Sequence, residues 1–229
     1  MISTGREREA PSKPFQESSE SVSRFKRDRR RLTCDSLLLP HRSLANLAII
    51  PTEMEVVVPE SFAHLYETNP DRPVVKVPEP VLRQVAKPVE KVTPRHRLLA
   101  ENMVRIMKKS HGVGLAAPQV GVSERIIVVA PEGKAIVLFN PVITAQSGKE
   151  IGEEGCLSIP GLYGDVERFS EIEVEGLDIK GRPVAYAMDG FAARVVQHEV
   201  DHLDGVLFID KVDPATLHWM EPAHERRRG

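Results

Sequence analysis

The feature that most constrains how this chain can fold is a histidine pair four residues apart, His198 and His202, inside the run FAARVVQHEVDHL. Residues at i and i+4 share one face of an α-helix, so two imidazoles would stand one turn apart and could grip a single metal ion. Glu199 sits about 100° further round the helix, within reach of a water in the ion's open position, where a carboxylate acts as a general base. The helix is expected to begin near Asp189 and to end where Asp204-Gly205 supplies a left-handed C-terminal cap. A plainer reading of the same residues is a polar helix face that happens to carry histidines and acids. A third ligand separates the two, because a hydrolytic metal site keeps three protein donors and an open position. Cys156, in EEGCLSIPG, offers a soft thiolate, with Gly155 permitting a tight backbone and Pro160 ending the local extended segment. Without context, a lone cysteine reads as a small buried hydrophobe. The run HGVGLAAPQVG, His111 to Gly121, combines three glycines with small residues and one amide, Gln119, a texture that lets backbone approach something closely. Alone it could also be a helix-to-strand loop capped at Gly112.

Around these segments the chain divides unevenly. Residues 1–72 lack sustained periodicity and carry Ser, Pro and the basic cluster FKRDRRR, Phe25 to Arg31, so they are expected to form a flexible tail. An organelle-targeting segment is the alternative, opposed by Glu7, Glu9, Glu17, Glu20, Asp28 and Asp35, since transit peptides are poor in acids. A start of translation at Met54 is a third possibility. Residues 73–213 form one catalytic domain, and 214–229 a polar tail ending in HERRRG. Leu99, Met103, Ile106 and Met107 predict a helix over Pro94 to Ser110, with Thr93 as N-cap. Strands are expected at Arg125–Ala130, Ala135–Phe139, Glu171–Leu177 and Pro183–Met188, the last two joined through DIKGR, and VLFID after the second helix reads as another strand. This order does not suit a doubly wound nucleotide fold. It predicts an α+β domain with antiparallel or mixed sheets packed around a central metal-bearing helix.

Bulk properties set outer limits. The 229 residues are 41% apolar, enough for a real core, and 31 basic against 33 acidic residues give a net charge of -2, no footprint for a nucleic acid or a membrane surface. Leu44–Ile50 and Ile126–Ala130 are too short to span a bilayer. The two cysteines, Cys34 and Cys156, do not form a disulfide framework, which favours a reducing compartment.

GVGLAAPQ, EGCLS and QHEVDH, in this order, resemble the three signature motifs of the peptide deformylase family. The likeness runs from about Val74 to Val212, including KVPEPVLRQVAKPV and LDGVLFIDKV. It implies removal of the formyl group from N-formylmethionine on newly made chains, with formate as second product. Carried over by position, it implies Cys156, His198 and His202 as ligands and Glu199 as catalytic base, with the Gln119 amide and the Leu157 N–H as an oxyanion hole. Gly114 matches a glycine whose backbone binds substrate. Val113, Phe191 and Val195 border the methionine pocket, and Arg168 and Gln197 match buttressing positions. Arg194 is expected to be solvated or to stand behind the site. Many relatives place an arginine near Tyr163, so contacts to substrate backbone are expected to differ here. The resemblance implies Fe(2+) as the usual ion; the donors also suit Zn(2+), Ni(2+) or Co(2+). The implied partners are N-formylmethionyl nascent peptides and, through the terminal arginines, the ribosome, in a bacterial-type cytoplasm or else an organelle. A zinc peptidase is the rival, and only His218, Glu221, His224 and Glu225 could complete its site downstream.

Overall fold

The computed structural model describes residues 55–69 and 72–222. The basic cluster, Cys34, Met54 and the HERRRG tail lie outside them. The fold is α+β, as expected, and its strands pair antiparallel in two sheets.

The first helix, α1, spans Pro94–Lys109. Proline at its first position costs no hydrogen bond, because that N–H has no intrahelical partner. Behind it Thr93 caps the turn, its N–H donating to His96 Nδ1 at 3.0 Å. Met103 and Met107, one turn apart, are fully buried. After α1 come β1 (Gly114–Ala116), β2 (Ile126–Val129) and β3 (Ile136–Ser147), then β4 (Glu150–Cys156) and β5 (Ile159–Arg168), then β6 (Glu171–Leu177) and β7 (Pro183–Asp189). The metal-bearing helix of the sequence reading is α2, Gly190–Leu203, and β8 is the short His218–Trp219.

One sheet has the order β1-β2-β3-β6-β7. All four residues of β2 are buried because both of its faces are covered. Ile126 and Val128 join the core around α1, while Ile127 and Val129 join the one around α2. Each such aliphatic side chain contributes about 1.5–3 kcal/mol through burial. A two-residue period thus clamps the sheet between the helices and fixes where α2 lies. The other sheet, β4-β5-β8, carries Cys156 and covers a third apolar cluster of Ile159, Leu162, Val166, Leu207, Phe208 and Ile209.

Three expectations need correction. VLFID is not a strand: Leu207, Phe208 and Ile209 are buried in succession, which an alternating strand on one core face cannot achieve, and Phe208–Asp210 winds into a 3-10 turn. Asp210 closes it by accepting the Leu207 N–H at 2.8 Å. Pro160 does not end the extended segment, since it lies inside β5. The register slips between Gly155↔Tyr163 and Cys156↔Ile159, and this bulge spares the proline from donating to the ladder. Finally, residues 60–65, in the stretch read as a flexible tail, form a 3-10 helix with Leu65 buried. Their apolar residues meet a partner from the far end of the chain, which local periodicity cannot reveal. The second helix does end as expected: Gly205 adopts φ +72°, and a Cβ there would lie 2.6 Å from the Arg83 carbonyl oxygen.

Candidate metal centre

Helix α2 turns His198, Glu199 and His202 into the protein, and the β4–β5 hairpin brings Cys156 up to them. One donor atom from each of Cys156, His198 and His202 lies within 4.8 Å of the others, and the Cys156 sulfur stands 3.3 Å from His202 Nε2. Donors around one small tetrahedral cation are separated by about 3.6 Å, given metal–sulfur and metal–nitrogen lengths near 2.3 and 2.1 Å. The set therefore fits a divalent ion. A second observation agrees: Glu199 Oε2 is buried without a hydrogen-bond partner, so a polar acceptor beside the donors is left for a group that binds there.

Electrostatics prepare the donors. Burial opposes ionisation of Cys156, yet His202 and His198 beside it hold the thiol well below its usual range, favouring the thiolate a metal requires. Burial pushes the Glu199 carboxyl up to about 7, against the opposing pull of the two histidines. Gly114 lies so close that a Cβ there would fall 2.3 Å from Glu199 Oε1, so glycine lets β1 approach this carboxylate.

Behind the three donors is a buried polar network centred on Glu154. Its Oε2 accepts from His198 Nδ1 at 2.9 Å, orienting the ring. Arg168 grips the carboxylate with two bonds of 2.9 Å, Arg194 adds a third to Oε1 at 2.9 Å, and Arg168 also reaches Asp201. Despite the burial cost, these partners keep Glu154 ionised well below the usual carboxylate range. Arg194 is therefore not solvated: it braces Glu154 from behind the donors, as the other half of its expectation has it, but it also borders the cleft, and it binds the carbonyls of Glu150, Gly152 and Val166. Glu154 carried no role in the sequence reading. Its signal was present, since two residues from Cys156 on a strand puts it on the cysteine's face.

Gln119 is buried next to the ligands. Its Oε1 accepts the Ala116 N–H at 2.8 Å, which turns the amino group towards Ser158 Oγ at 3.2 Å and the Cys156 sulfur at 3.6 Å. Gln197 points elsewhere: it binds both the N–H and the carbonyl of Phe169, tying α2 to the β5–β6 link. A cleft of about 790 Å³ opens over the centre. Gly112, Val113 and Gly114 line it together with Leu157, Pro160, Gly161 and Tyr163, and so do Phe191 and Val195. Val195 is buried and Phe191 is 57% exposed, at the rim. Tyr163 occupies the place near which many relatives carry an arginine, stacked on His218 with ring centroids 6.1 Å apart. His218 is thereby engaged away from the histidine pair, and among the described residues the donor group is completed by Cys156, not from downstream.

Comparison with known proteins agrees with this geometry. The polypeptide deformylase family model matches residues 71–217. The peptide deformylase of Desulforudis audaxviator is 53% identical over 140 residues, 60% of this chain and 91% of that protein. That of Halothermothrix orenii is 54% identical over 139 residues, 60% and 90% of the two chains. The crystal structure of the Thermotoga maritima peptide deformylase superposes with a TM-score of 0.60 at 42% identity, covering 62% of this chain and 97% of that one. The Synechococcus elongatus peptide deformylase, solved in complex with actinonin, gives 0.61 at 42% identity over 65% and 83% of the chains. With three donors, a buried carboxylate beside them and these relatives, the chain belongs to the peptide deformylase family, metal-dependent hydrolases that release the formyl group of N-formylmethionine from new proteins.

Proposed function

We propose that Cys156, His198 and His202 hold one Fe(2+) ion, that Glu199 is the general base, and that Gln119 and the Leu157 N–H bind the formyl oxygen. The observation that carries this reading is the convergence of three donor atoms within 4.8 Å beside the unpartnered Glu199 Oε2. When bound, a divalent ion of this kind acts as a Lewis acid and lowers the pKa of water from about 15.7 towards neutrality. Glu199 removes a proton from the attacking water and returns it to the departing amine, so the formyl C–N bond breaks to formate and a free amino terminus. Gln119, fixed through its Oε1, offers its amino group where negative charge develops. Gly114, with Val113, offers strand-edge backbone to the substrate, since β1 pairs with β2 along one side only. Val195 and Phe191 border the methionine side chain, and Arg168 and Gln197 hold α2 and the hairpin in place. Ferrous iron suits the mixed thiolate–imidazole set, which would also accept zinc, nickel or cobalt.

The substrates are N-formylmethionyl nascent peptides. We place the reaction in a bacterial-type cytoplasm; among the described residues no helix is long and apolar enough to cross a membrane. Contact with the ribosome rests on residues 224–229, outside the described ones.

The test is formate release from a formyl-methionyl peptide by anaerobically purified protein, with its metal content measured and an internal-peptide substrate run alongside. Glu199→Ala is expected to keep its metal and lose at least about 10³-fold in turnover, whereas Cys156→Ala loses metal and activity together. Cleavage of the internal peptide without formate release, or equal metal and activity in both variants, overturns the reading.

A further inference from the structure

The family match begins at residue 71, yet the chain before it is folded against the cleft wall. Residues Glu60–Leu65 wind into a 3-10 helix, closed by Phe62 N–H to the Pro59 carbonyl at 2.9 Å and Tyr66 N–H to the Ala63 carbonyl at 3.0 Å. Leu65 is 4% exposed. The Phe62 ring meets Trp219 of β8 with centroids 5.0 Å apart. Both side chains fill the space beside Gly161, where a Cβ would lie 2.6 Å from Phe62 and 3.5 Å from Leu65. Gly161 itself adopts φ +89°. Its carbonyl accepts from the Met220 N–H at 2.8 Å, and its neighbour Leu162 pairs with Trp219.

Gly161, Pro160 and Tyr163 also line the cleft that holds the metal centre. One stretch of β5 therefore borders substrate space and is held from outside the cleft: β8 pairs along its edge, and the 60–65 segment packs against Gly161 and Trp219. Both β8 and residues 60–65 lie outside the span of the family match. The ligands and the base sit on α2 and at the end of β4, and neither is part of this backing.

We propose that Phe62 and Leu65, with Trp219, are positioning residues that hold the Pro160–Tyr163 wall for the substrate chain beyond its formylmethionine. The proposal rests on the deformylase reading. A wall that binds remote parts of a substrate equally in the ground and transition states affects KM and leaves kcat alone. Its influence disappears when the substrate does not extend far enough to touch it.

The experiment compares the full-length chain with Phe62→Ala, Phe62→Tyr and Phe62→Leu, using a formyl-methionyl tripeptide and N-formylmethionine amide as substrates. Phe62→Ala is expected to raise KM for the tripeptide about five- to tenfold with kcat within about twofold, and to shift KM for the amide less than about twofold. Phe62→Tyr, which keeps the ring, restores the tripeptide KM. Phe62→Leu, which keeps an apolar side chain but loses the ring contact with Trp219, gives a smaller shift in the same direction and serves if Phe62→Ala fails to fold. An unchanged tripeptide KM, or an equal loss on both substrates, overturns the proposal. Absence of formate release by the unaltered chain would instead overturn the deformylase reading, so the two failures are distinguishable.

Discussion

The two sheets bury their inner faces by different means. In β6 of the five-stranded sheet, Ile172 and Val174 point inward while Glu171, Glu173 and Glu175 face solvent. Its stability is a matter of apolar area, and its charges are spectators. In β4 of the three-stranded sheet, Glu154 and Cys156 are the buried pair, and the space towards α2 is filled by Arg168, Arg194 and His198. Buried charge costs desolvation and is tolerated only when fully paired. In return it is directional: a carboxylate held by two guanidiniums cannot drift, and neither can the imidazole it binds. The sheet that carries the candidate donor Cys156 is thus the one that gives up apolar burial for fixed geometry.

Substitutions can break this contrast. The largest effect is expected from Glu154→Gln, which removes a charge facing two arginines and loosens His198. Metal affinity should fall about 10- to 100-fold, read by competition with a chelator; unchanged affinity would make the network merely structural. On the other sheet, Ile172→Ala should cost about 2–3 kcal/mol in urea unfolding, with formate release per folded molecule unaltered. A changed kcat there would blur the distinction between the sheets.

Lys76 gives an intermediate case, a buried ammonium bonded to the Val74 carbonyl at 2.8 Å. Burial lowers its pKa from 10.5 to about 8, with Arg72 adding to the effect and Cys156 opposing it. The folded state therefore binds this proton more weakly than the unfolded one. Its destabilising contribution is full below about pH 8 and fades as pH rises towards 10.5. Lys76→Met is expected to stabilise the protein by about 2–3 kcal/mol at neutral pH. The gain should shrink over that window in unfolding curves taken at several pH values, and a pH-independent gain would contradict the assignment. Smallest of all, Glu173→Gln on the solvent face should change stability by less than about 0.5 kcal/mol and activity not at all; a larger change would give that acidic face a role.

Legibility in the sequence follows the same division. The period-two strands β6 and β7, the two helices and the left-handed stop at Gly205 could be read locally, because each is written within a dozen neighbouring residues. The β4–β5 hairpin shows in the sequence only as an extended segment stopped by Pro160. A bulge hides its pairing, and Gly155 lies flat against Tyr163, where a Cβ would be 2.6 Å from the ring. Arg194 could be ranked as a surface or a supporting residue but not decided between them. Its guanidinium is satisfied by partners 28 to 44 residues away, which no local pattern records.

The sequence by itself determined the candidates for the chemistry: a helix repeat sets His198, Glu199 and His202 on one side of α2, and the ordered motifs point to Cys156 and Gln119. Only the tertiary structure decided what holds them. Glu154 as the anchor of His198, the refolding of VLFID into a buried turn, and the backing of Gly161 by Phe62 and Trp219 all join residues distant along the chain. Their geometry depends on the packing of whole elements, and packing is a property of the assembled molecule that a periodic reading of its segments does not contain.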